Sequence, residues 1–158
     1  MTPNCWDEAI CAMQGAWGRD TVFALATRSA EDEIHVRNVD GYYMDGDVYV
    51  VTHTSSHKMH DVAVHKEAGL CQGMSVAQGA AENLGHPRDP ELASLRDTLR
   101  KVFESFYDKH NNEDDPGMCF LRIRLTKAVF FAGGKRYEMD FAARTASSSR
   151  CEIDIVMP

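Results

Sequence analysis

Residues 33–52 read EIHVRNVDGYYMDGDVYVVT, and this stretch decides the fold. Over 33–39 the side chains alternate between two faces, a pattern that is typical of a half-buried β-strand. The dipeptide Asp45-Gly46 stands between two segments rich in β-forming residues, which is a strong signal for a tight hairpin turn. The stretch therefore predicts an antiparallel meander of three strands, over 33–39, 41–44 and 47–52.

Further strands are predicted on both sides of this meander. The segments concerned are short, apolar and rich in β-forming residues. They cover Thr21 to Thr27, 68–73, 75–83, and 118–126 with 128–132, the last two forming one long strand that is bent near Lys127. Gly79 lies inside one of these segments, where it predicts a bulge or a close approach of two backbones.

Three helices are predicted around the strands. Asn4 can cap the first, whose apolar residues recur on one face from Trp6 to Trp17. Ser55 or Ser56 can cap a short second helix, and Asp89-Pro90-Glu91 is a typical start for a long third one. Because most connections between the strands are hairpins, the order of elements favours an antiparallel barrel with peripheral helices over a doubly wound parallel sheet.

The chain is predicted to form one main domain over residues 1–141. Its 158 residues are enough to bury a core without disulfides or metals. From residue 142 onward, small polar residues predict a C-terminal tail, 142–158. The tail is either loose or, through the segment CEIDIV at 151–156, an edge strand of the sheet.

The composition argues against several classes of protein. With 44% hydrophobic and 26% charged residues, the chain has the balance of a soluble globular protein without membrane helices. The net charge of −7 argues against nucleic-acid binding, which depends on clustered basic residues. The acidic N-terminal segment does not resemble a secretory signal, which favours a cytoplasmic protein. Five cysteines without CxxC spacing predict reduced thiols rather than disulfides or a zinc site.

The segment Thr52–Lys58, THTSSHK, carries the chemistry. A predicted strand runs directly into a predicted helix here, and the first backbone N–H groups and the dipole of a helix favour an anion. Hydroxyl groups of Ser55 and Ser56 add donors, Lys58 adds a full charge, and Arg37 on a neighbouring strand offers a forked guanidinium. The segment predicts a phosphate or carboxylate site; the alternative is an ordinary Ser-capped helix with a solvated lysine.

Classical nucleotide-binding and metal-binding motifs are missing from the sequence. Neither GxxxxGK[ST] nor a GxGxxG after a strand is present. His53, His57, His60 and His65 crowd one segment, and a spacing of three or four residues on a helix can hold zinc. Because His53 is predicted to precede the helix and no HExxH motif is present, no metal site is predicted. A protonated His57, beside the predicted phosphate position, is instead suited to contact an anion.

Several segments, in the same order and at the same spacing, resemble the FMN-binding split-barrel proteins related to pyridoxamine 5′-phosphate oxidase. They are VFALAT at 22–27, HVRNV at 35–39, the Asp45-Gly46 hairpin, VYVVT at 48–52 followed by SHK at 56–58, and VAQGAAE at 76–82. The resemblance covers about residues 5–132. It is closer to the short general-stress and NimA/NimC nitroimidazole-resistance types than to the oxidase itself.

This resemblance implies a mainly β protein with peripheral helices, built on a six-stranded antiparallel split β-barrel. It also implies a homodimer with two FMN sites at the subunit interface. Arg37, Ser56 and Lys58 match the positions that hold the phosphate and the ribityl chain in the family. The cofactor expected from the resemblance is therefore FMN.

The remaining contacts implied by the resemblance are spread over two strands. Val51, Thr52 and His53 match the strand end that faces the isoalloxazine, partly through backbone groups. Residues around Gln72 would approach the site of the partner subunit. Asn38 stands where the family usually has proline, and the oxidase's C-terminal substrate-binding segment has no counterpart. Oxidation of pyridoxine phosphate is therefore not expected.

The leading hypothesis is an FMN-dependent oxidoreductase that acts on a small molecule, with NAD(P)H as an electron donor suggested by family analogy. No catalytic acid or base can be assigned from the sequence. Three alternatives stay open: a non-enzymatic FMN-binding stress or sensor protein, a split barrel that binds haem through a histidine, and a split barrel that binds no cofactor.

Overall fold

Residues 3–151 are described by this computed structural model, and they form eight strands with a few peripheral helices. The strands are β1 Thr21–Arg28, β2 Ile34–Met44, β3 Asp47–His53, β4 Glu67–Gln72, β5 Ser75–Gly85, β6 Met118–Ala132, β7 Lys135–Asp140 and β8 Thr145–Arg150. The helices are α1 Trp6–Trp17, α2 His57–Val64, α3 Ala93–Val102 and α4 Tyr107–His110, with a 3₁₀ turn at Pro90–Leu92 before α3.

Six of the strands close into an antiparallel barrel. They follow the order β3-β2-β1-β4-β5-β6, and β3 pairs with β6 from Asp47↔Arg124 to His53↔Met118 to complete the ring. β6 is 15 residues long, and from Lys127 onward it pairs with β7, which in turn pairs with β8. The predicted six-stranded antiparallel split barrel is therefore confirmed, with two further strands added beside it.

The apolar face of α1 packs against the barrel core. Trp17 is fully buried and meets the rings of Phe23 and Phe130 edge to face, at centroid distances of 5.0 and 5.2 Å. The N-cap position of α1 is Cys5 rather than the predicted Asn4; the side chain of Asn4, one residue earlier, accepts a hydrogen bond from the backbone N–H of Trp6 at 3.1 Å. The stripe that the sequence predicted on this helix is thus the face that contacts the barrel.

A second apolar cluster lies on the opposite face of β3 and β6. Alternation along these strands turns some side chains into the barrel and their neighbours outward. The outward residues pack against α3, α4 and the 3₁₀ turn before them. The buried members of this cluster are Tyr49, Leu92, Leu99, Phe103, Tyr107, Met118 and Phe120.

Element boundaries differ from the sequence expectation in several places. The separate strands predicted over 33–39 and 41–44 are wrong, because β2 is continuous. Gly41 does not turn the chain; it is the residue that lets β2 pass Phe23, whose ring would lie 2.8 Å from a Cβ at this position. The long third helix is divided, since the backbone leaves helical values at Phe103 and Phe106. β7 was not predicted at all.

The segment after residue 142 is partly ordered. β8 forms an edge strand within it and pairs with β7 from Asp140↔Thr145 to Lys135↔Arg150. From Thr145 to Arg150, the tail is therefore an ordered edge strand and not a loose segment. The edge strand considered for 151–156 lies almost entirely outside the described residues, which end at Cys151.

The described chain contains neither a disulfide nor a helix suited to span a membrane. The cysteines, five in all, have free thiols. Within residues 3–151, no helix is both long enough and apolar enough to cross a membrane.

Gly79 lies at the bulge that the sequence predicted in β5. The register against β6 shifts between Gln78 and Gly79, and a Cβ on Gly79 would lie 2.2 Å from the carbonyl oxygen of Arg124. Because this neighbour is backbone and part of the ladder, we expect Gly79→Ala to lower the free energy of unfolding by about 1–3 kcal/mol in urea denaturation. Gly15→Ala is the control: it lies within α1 with no atom inside 4 Å and should not destabilise. Equal losses in both variants would contradict the packing argument.

Glu113, in the loop after α4, stabilises the second cluster through charged hydrogen bonds. Its side chain is 8% exposed and accepts hydrogen bonds from Arg96 at 2.8 Å, Tyr107 at 2.9 Å and Arg100 at 3.1 Å. These hydrogen bonds lower the pKa of the Glu113 carboxyl to about 2, because together they outweigh the effect of burial, which would raise it. The bond from Arg96 contributes most, followed by those from Tyr107 and Arg100.

A carboxyl group whose pKa is lower in the folded than in the unfolded chain stabilises the fold at any pH above its unfolded-state pKa. This stabilisation is lost as the pH falls toward the folded-state pKa. We therefore expect the wild-type protein to lose stability between about pH 4.5 and pH 2, and Glu113→Gln to lack that part of the loss. At pH 7 the variant should be less stable by about 2 kcal/mol, the scale of a charged hydrogen bond. Thermal unfolding across this pH range measures both effects, and parallel pH profiles for the two proteins would refute the assignment.

Candidate anion-binding site

A recess of about 530 Å³ lies between β2 and the start of α2. These two elements meet because β3, which runs directly into α2, is the neighbour of β2 in the barrel. The side chains that line the recess are Ile34, His35, Val36 and Arg37 from β2, and His57 and Lys58 from α2. Its wall is therefore rich in basic groups.

Arg37 is held in place by three contacts on its inner side. Its Nη1 donates to the backbone oxygen of Leu25 at 3.3 Å and to the hydroxyl of Thr27 at 2.6 Å, both on β1. Its Nη2 lies 3.5 Å from Oδ2 of Asp61 on α2. The side chain is 24% exposed, so the guanidinium is anchored from behind and still reaches the recess.

Asp61 is the buried carboxylate behind the recess, with only 4% of its surface exposed. Its Oδ2 accepts hydrogen bonds from the Thr27 hydroxyl at 2.7 Å and from Nδ1 of His35 at 2.9 Å. Burial alone would raise the pKa of the Asp61 carboxyl, but the bonds from Thr27 and His35, with the charge of Arg37, hold it below its ordinary range. Asp61 is therefore ionised at neutral pH.

Lys58 is the second full cation of the recess. It is half-buried, and no described residue forms an ion pair or hydrogen bond with its ammonium group. Burial lowers the pKa of Lys58, and the nearby positive charge of Arg37 lowers it further. Two cations thus line this recess, and Asp61 lies behind it, beside Arg37. An anionic ligand would stabilise the two positive charges.

The N-terminus of α2 lies at the same recess, because His57 and Lys58, its first two residues, line it. Ser56 is the N-cap residue and has an extended backbone, as predicted for a capping serine. Within the described chain, however, its side chain makes no capping hydrogen bond; its Oγ lies 3.4 Å from Oγ1 of Thr52 instead. A helix start without a side-chain cap retains N–H groups that can bind an anion.

Of the eight positions singled out from the sequence, the structure brings Arg37, His57 and Lys58 together in the recess. Ser56 and the buried Thr52 lie beside it but do not line it. Val51 points to the other face of β3, where its side chain packs against the second apolar cluster, so only its backbone remains for contacts on the barrel side.

His53 and Gln72 have other partners in this chain. Nε2 of His53 lies 3.0 Å from Oδ2 of Asp115, and its Nδ1 accepts from the backbone N–H of Ser55 at 3.1 Å. These contacts tie the end of β3 to the loop before β6. Gln72, at the end of β4, accepts a hydrogen bond from the indole of Trp17 at 3.2 Å and does not line the recess.

His35 and Asp61 were missed as site residues by the sequence reasoning. The signal for His35 was present, because the alternation over 33–39 puts it on the same face of the strand as Arg37. For Asp61 the signal was weaker: a carboxylate between the apolar Met59 and Val62 of a short helix. Those two neighbours are buried, so the face that carries Asp61 is turned inward.

A larger, mostly apolar groove of about 940 Å³ borders the recess at Val36. It runs over the outer face of β1, β4, β5 and β6 to the β7–β8 hairpin. Small residues form much of its floor, among them Ala24, Ala26 and Gly69. The basic recess and the apolar groove together could take a ligand with one charged and one flat apolar end. Within residues 3–151, no three metal-ligating side chains are grouped so as to hold a metal ion.

No protein-family model matches this sequence, and no curated protein is detectably similar to it. Solved structures with a similar fold do exist. A haem-binding protein from Mycobacterium smegmatis is 15% identical with a TM-score of 0.61, over 95% of this chain and 59% of that one. A putative pyridoxamine 5′-phosphate oxidase from Listeria innocua is 12% identical with a TM-score of 0.58, over 78% of this chain and 94% of that one.

An FAD-binding protein from Mesorhizobium loti is 18% identical with a TM-score of 0.58, over 77% of this chain and 89% of that one. Identities of this size show the fold and leave cofactor and activity open. The closed six-stranded antiparallel barrel agrees with the fold that the sequence resemblance implies. The chain therefore has the split-barrel fold of the proteins related to pyridoxamine 5′-phosphate oxidase.

Proposed function

We propose that this protein binds FMN and acts as an FMN-dependent oxidoreductase on a small molecule. The observation that carries the proposal is that two cationic side chains, Arg37 and Lys58, line the same recess. The recess lies at the start of α2, where no side chain caps the helix. The phosphate of FMN is a monoester with about −1.5 to −2 charge at pH 7, which matches two cations at close range. The comparison with a putative oxidase and an FAD-binding protein supports a flavin in this fold.

The residues present fit the phosphate end of FMN. Arg37 offers a forked donor that is already anchored by Thr27 and Leu25, and Lys58 offers a mobile point charge. His57 and the first N–H groups of α2 add donors on the same side. Val36 borders both the recess and the apolar groove. With the phosphate in the recess, the isoalloxazine ring of FMN would extend past Val36 into the groove.

The bound flavin would supply two-electron chemistry by hydride transfer. The chain's own residues would bind and orient it: Arg37 and Lys58 fix the phosphate, and the apolar groove shields the ring side from water. Because no titratable side chain of this recess can yet be placed against a reacting atom, no catalytic acid or base is assigned.

The site is further proposed to lie at the interface of a homodimer. Several apolar side chains on the outer barrel face are strongly exposed, among them Val22, Val36 and Val76 at 57%, 64% and 44%. Ala26 and Gly69, which are paired between β1 and β4, keep this face flat. Contiguous apolar surface of this kind usually marks an association site, and a second copy of this chain seated there would also close the open side of the recess at Val36.

The first test is the absorbance spectrum of the protein as isolated, followed by titration with FMN and riboflavin. We expect flavin bands, and we expect Lys58→Met to weaken FMN binding by about 1.5–3 kcal/mol, or roughly 10- to 150-fold, because one charged contact to phosphate is lost. Riboflavin, which has no phosphate, should bind wild type and variant alike. Lys101→Met, at an exposed position of α3, is the matched control.

Other outcomes separate the alternatives. A Soret band would favour haem, and a colourless protein without affinity for FMN would favour a barrel without cofactor. Bound FMN without NAD(P)H consumption in the presence of nitroaromatic or quinone acceptors would favour a non-enzymatic flavoprotein. Unchanged FMN affinity in Lys58→Met would show that the phosphate is bound elsewhere.

The homodimer is tested by placing a charge on the outer face. Val76→Lys should convert the dimer to a monomer, because burying an unpaired ammonium at an interface is costly, and light scattering after size-exclusion chromatography measures the mass. FMN affinity should fall with it if the site is shared. Ser94→Lys, on the exposed surface of α3, should stay dimeric. A monomeric wild type that retains FMN would contradict the shared site.

A further inference from the structure

Asp61 is a negative charge placed where an anion site should least tolerate one. Its Oδ2 lies 3.5 Å from the guanidinium of Arg37, so it cancels part of the field that would attract a ligand anion. A buried carboxylate at this place is therefore expected to do something else that outweighs the unfavourable charge.

The geometry shows what that is. Two strands contribute to the one oxygen: Thr27 of β1 donates to it at 2.7 Å and His35 of β2 at 2.9 Å, and the guanidinium of Arg37, also on β2, forms an ion pair with it at 3.5 Å. Arg37 also donates to the Thr27 hydroxyl at 2.6 Å, so that Asp61, Thr27 and Arg37 form a closed triangle. An arginine side chain that is fixed in this way loses less conformational freedom when a ligand binds.

We propose that Asp61 is the positioning residue of the anion site, and that from its buried place on α2 it holds Arg37 and His35 in their binding conformations before a ligand arrives. This inference rests on the proposed function of the recess. It assigns roles to Asp61, Thr27 and His35, to none of which the sequence resemblance assigned a contact with the cofactor.

Asp61 also decides which nitrogen of His35 is available. A carboxylate can only accept, so Nδ1 of His35 must carry the hydrogen of their 2.9 Å contact. In the neutral ring Nε2 is then an acceptor. The nearest acid to it, Glu33, lies 3.6 Å away, which is beyond hydrogen-bond distance. In that form, His35 can accept a hydrogen bond from a hydroxyl group of the ligand, such as those of the ribityl chain.

The two roles of Asp61 predict opposite signs for one substitution. If Asp61 acted only through its charge, Asp61→Asn would make the site more positive by one charge and would strengthen FMN binding. If Asp61 positions Arg37, the same variant loses the anchor and weakens binding despite the better charge. The ratio of riboflavin Kd to FMN Kd isolates the phosphate contribution, because the two ligands differ only there.

The experiment measures both dissociation constants by quenching of flavin fluorescence, in the wild type, Asp61→Asn and Thr27→Val. We expect the ratio to fall about tenfold in Asp61→Asn and about threefold in Thr27→Val, which keeps the charge but cuts one side of the triangle. A ratio that is unchanged or increased in Asp61→Asn overturns the inference while leaving the proposed function intact. A wild type that does not distinguish FMN from riboflavin overturns both.

Glu113→Gln is the matched control, because it also removes a buried carboxylate that accepts hydrogen bonds from arginine, but in the second cluster. It should lower stability and keep the wild-type ratio. If Asp61→Asn does not fold, as judged by circular dichroism, Thr27→Val decides the question alone: a fall in its ratio supports the triangle, and an unchanged ratio in a folded Thr27→Val overturns it.

Discussion

The pairing of β3 with β6 is the constraint on which the rest of this molecule depends. It turns an open sheet into a ring, from Asp47↔Arg124 to His53↔Met118, and it fixes where β3 ends. Because α2 begins four residues after that end, the same pairing sets the start of the helix beside β2. Arg37 is held on β2 by its pairing with β1, so the closure by β3 and β6 chiefly sets where Lys58 lies relative to it.

The recess is an electrostatic compromise. Arg37 and Lys58 bring two positive charges into a partly desolvated corner, and burial with mutual repulsion lowers the pKa of Lys58. Asp61 relieves part of that repulsion beside Arg37, and an anionic ligand would neutralise the positive charge that remains. Such a site gains most from a ligand that carries more than one negative charge.

Local patterns in the sequence were sufficient for most of the barrel strands, though not for β7, and for two of the cations, because alternation and helix capping are properties of neighbouring residues. They placed Arg37 on a strand face and Lys58 at a helix start without knowledge of the fold. They could not place Asp61, whose role depends on how α2 packs across β1 and β2. Val51 was named from the family resemblance alone, and alternation along β3 turns its side chain toward the second cluster, on the face opposite Val50.

In the proposed homodimer, the anion site and the subunit interface would meet on a single strand, β2. Val36 is 64% exposed and borders both the basic recess and the apolar groove, while Arg37, the next residue along β2, reaches the interior. Alternation on one strand therefore presents the anion anchor on one face and the surface for a second copy on the other. A partner that covered the groove would also restrict water at the open edge of the recess, which strengthens every charged contact inside it. If the proposed dimer forms, a change at Val36 should therefore affect both self-association and ligand affinity.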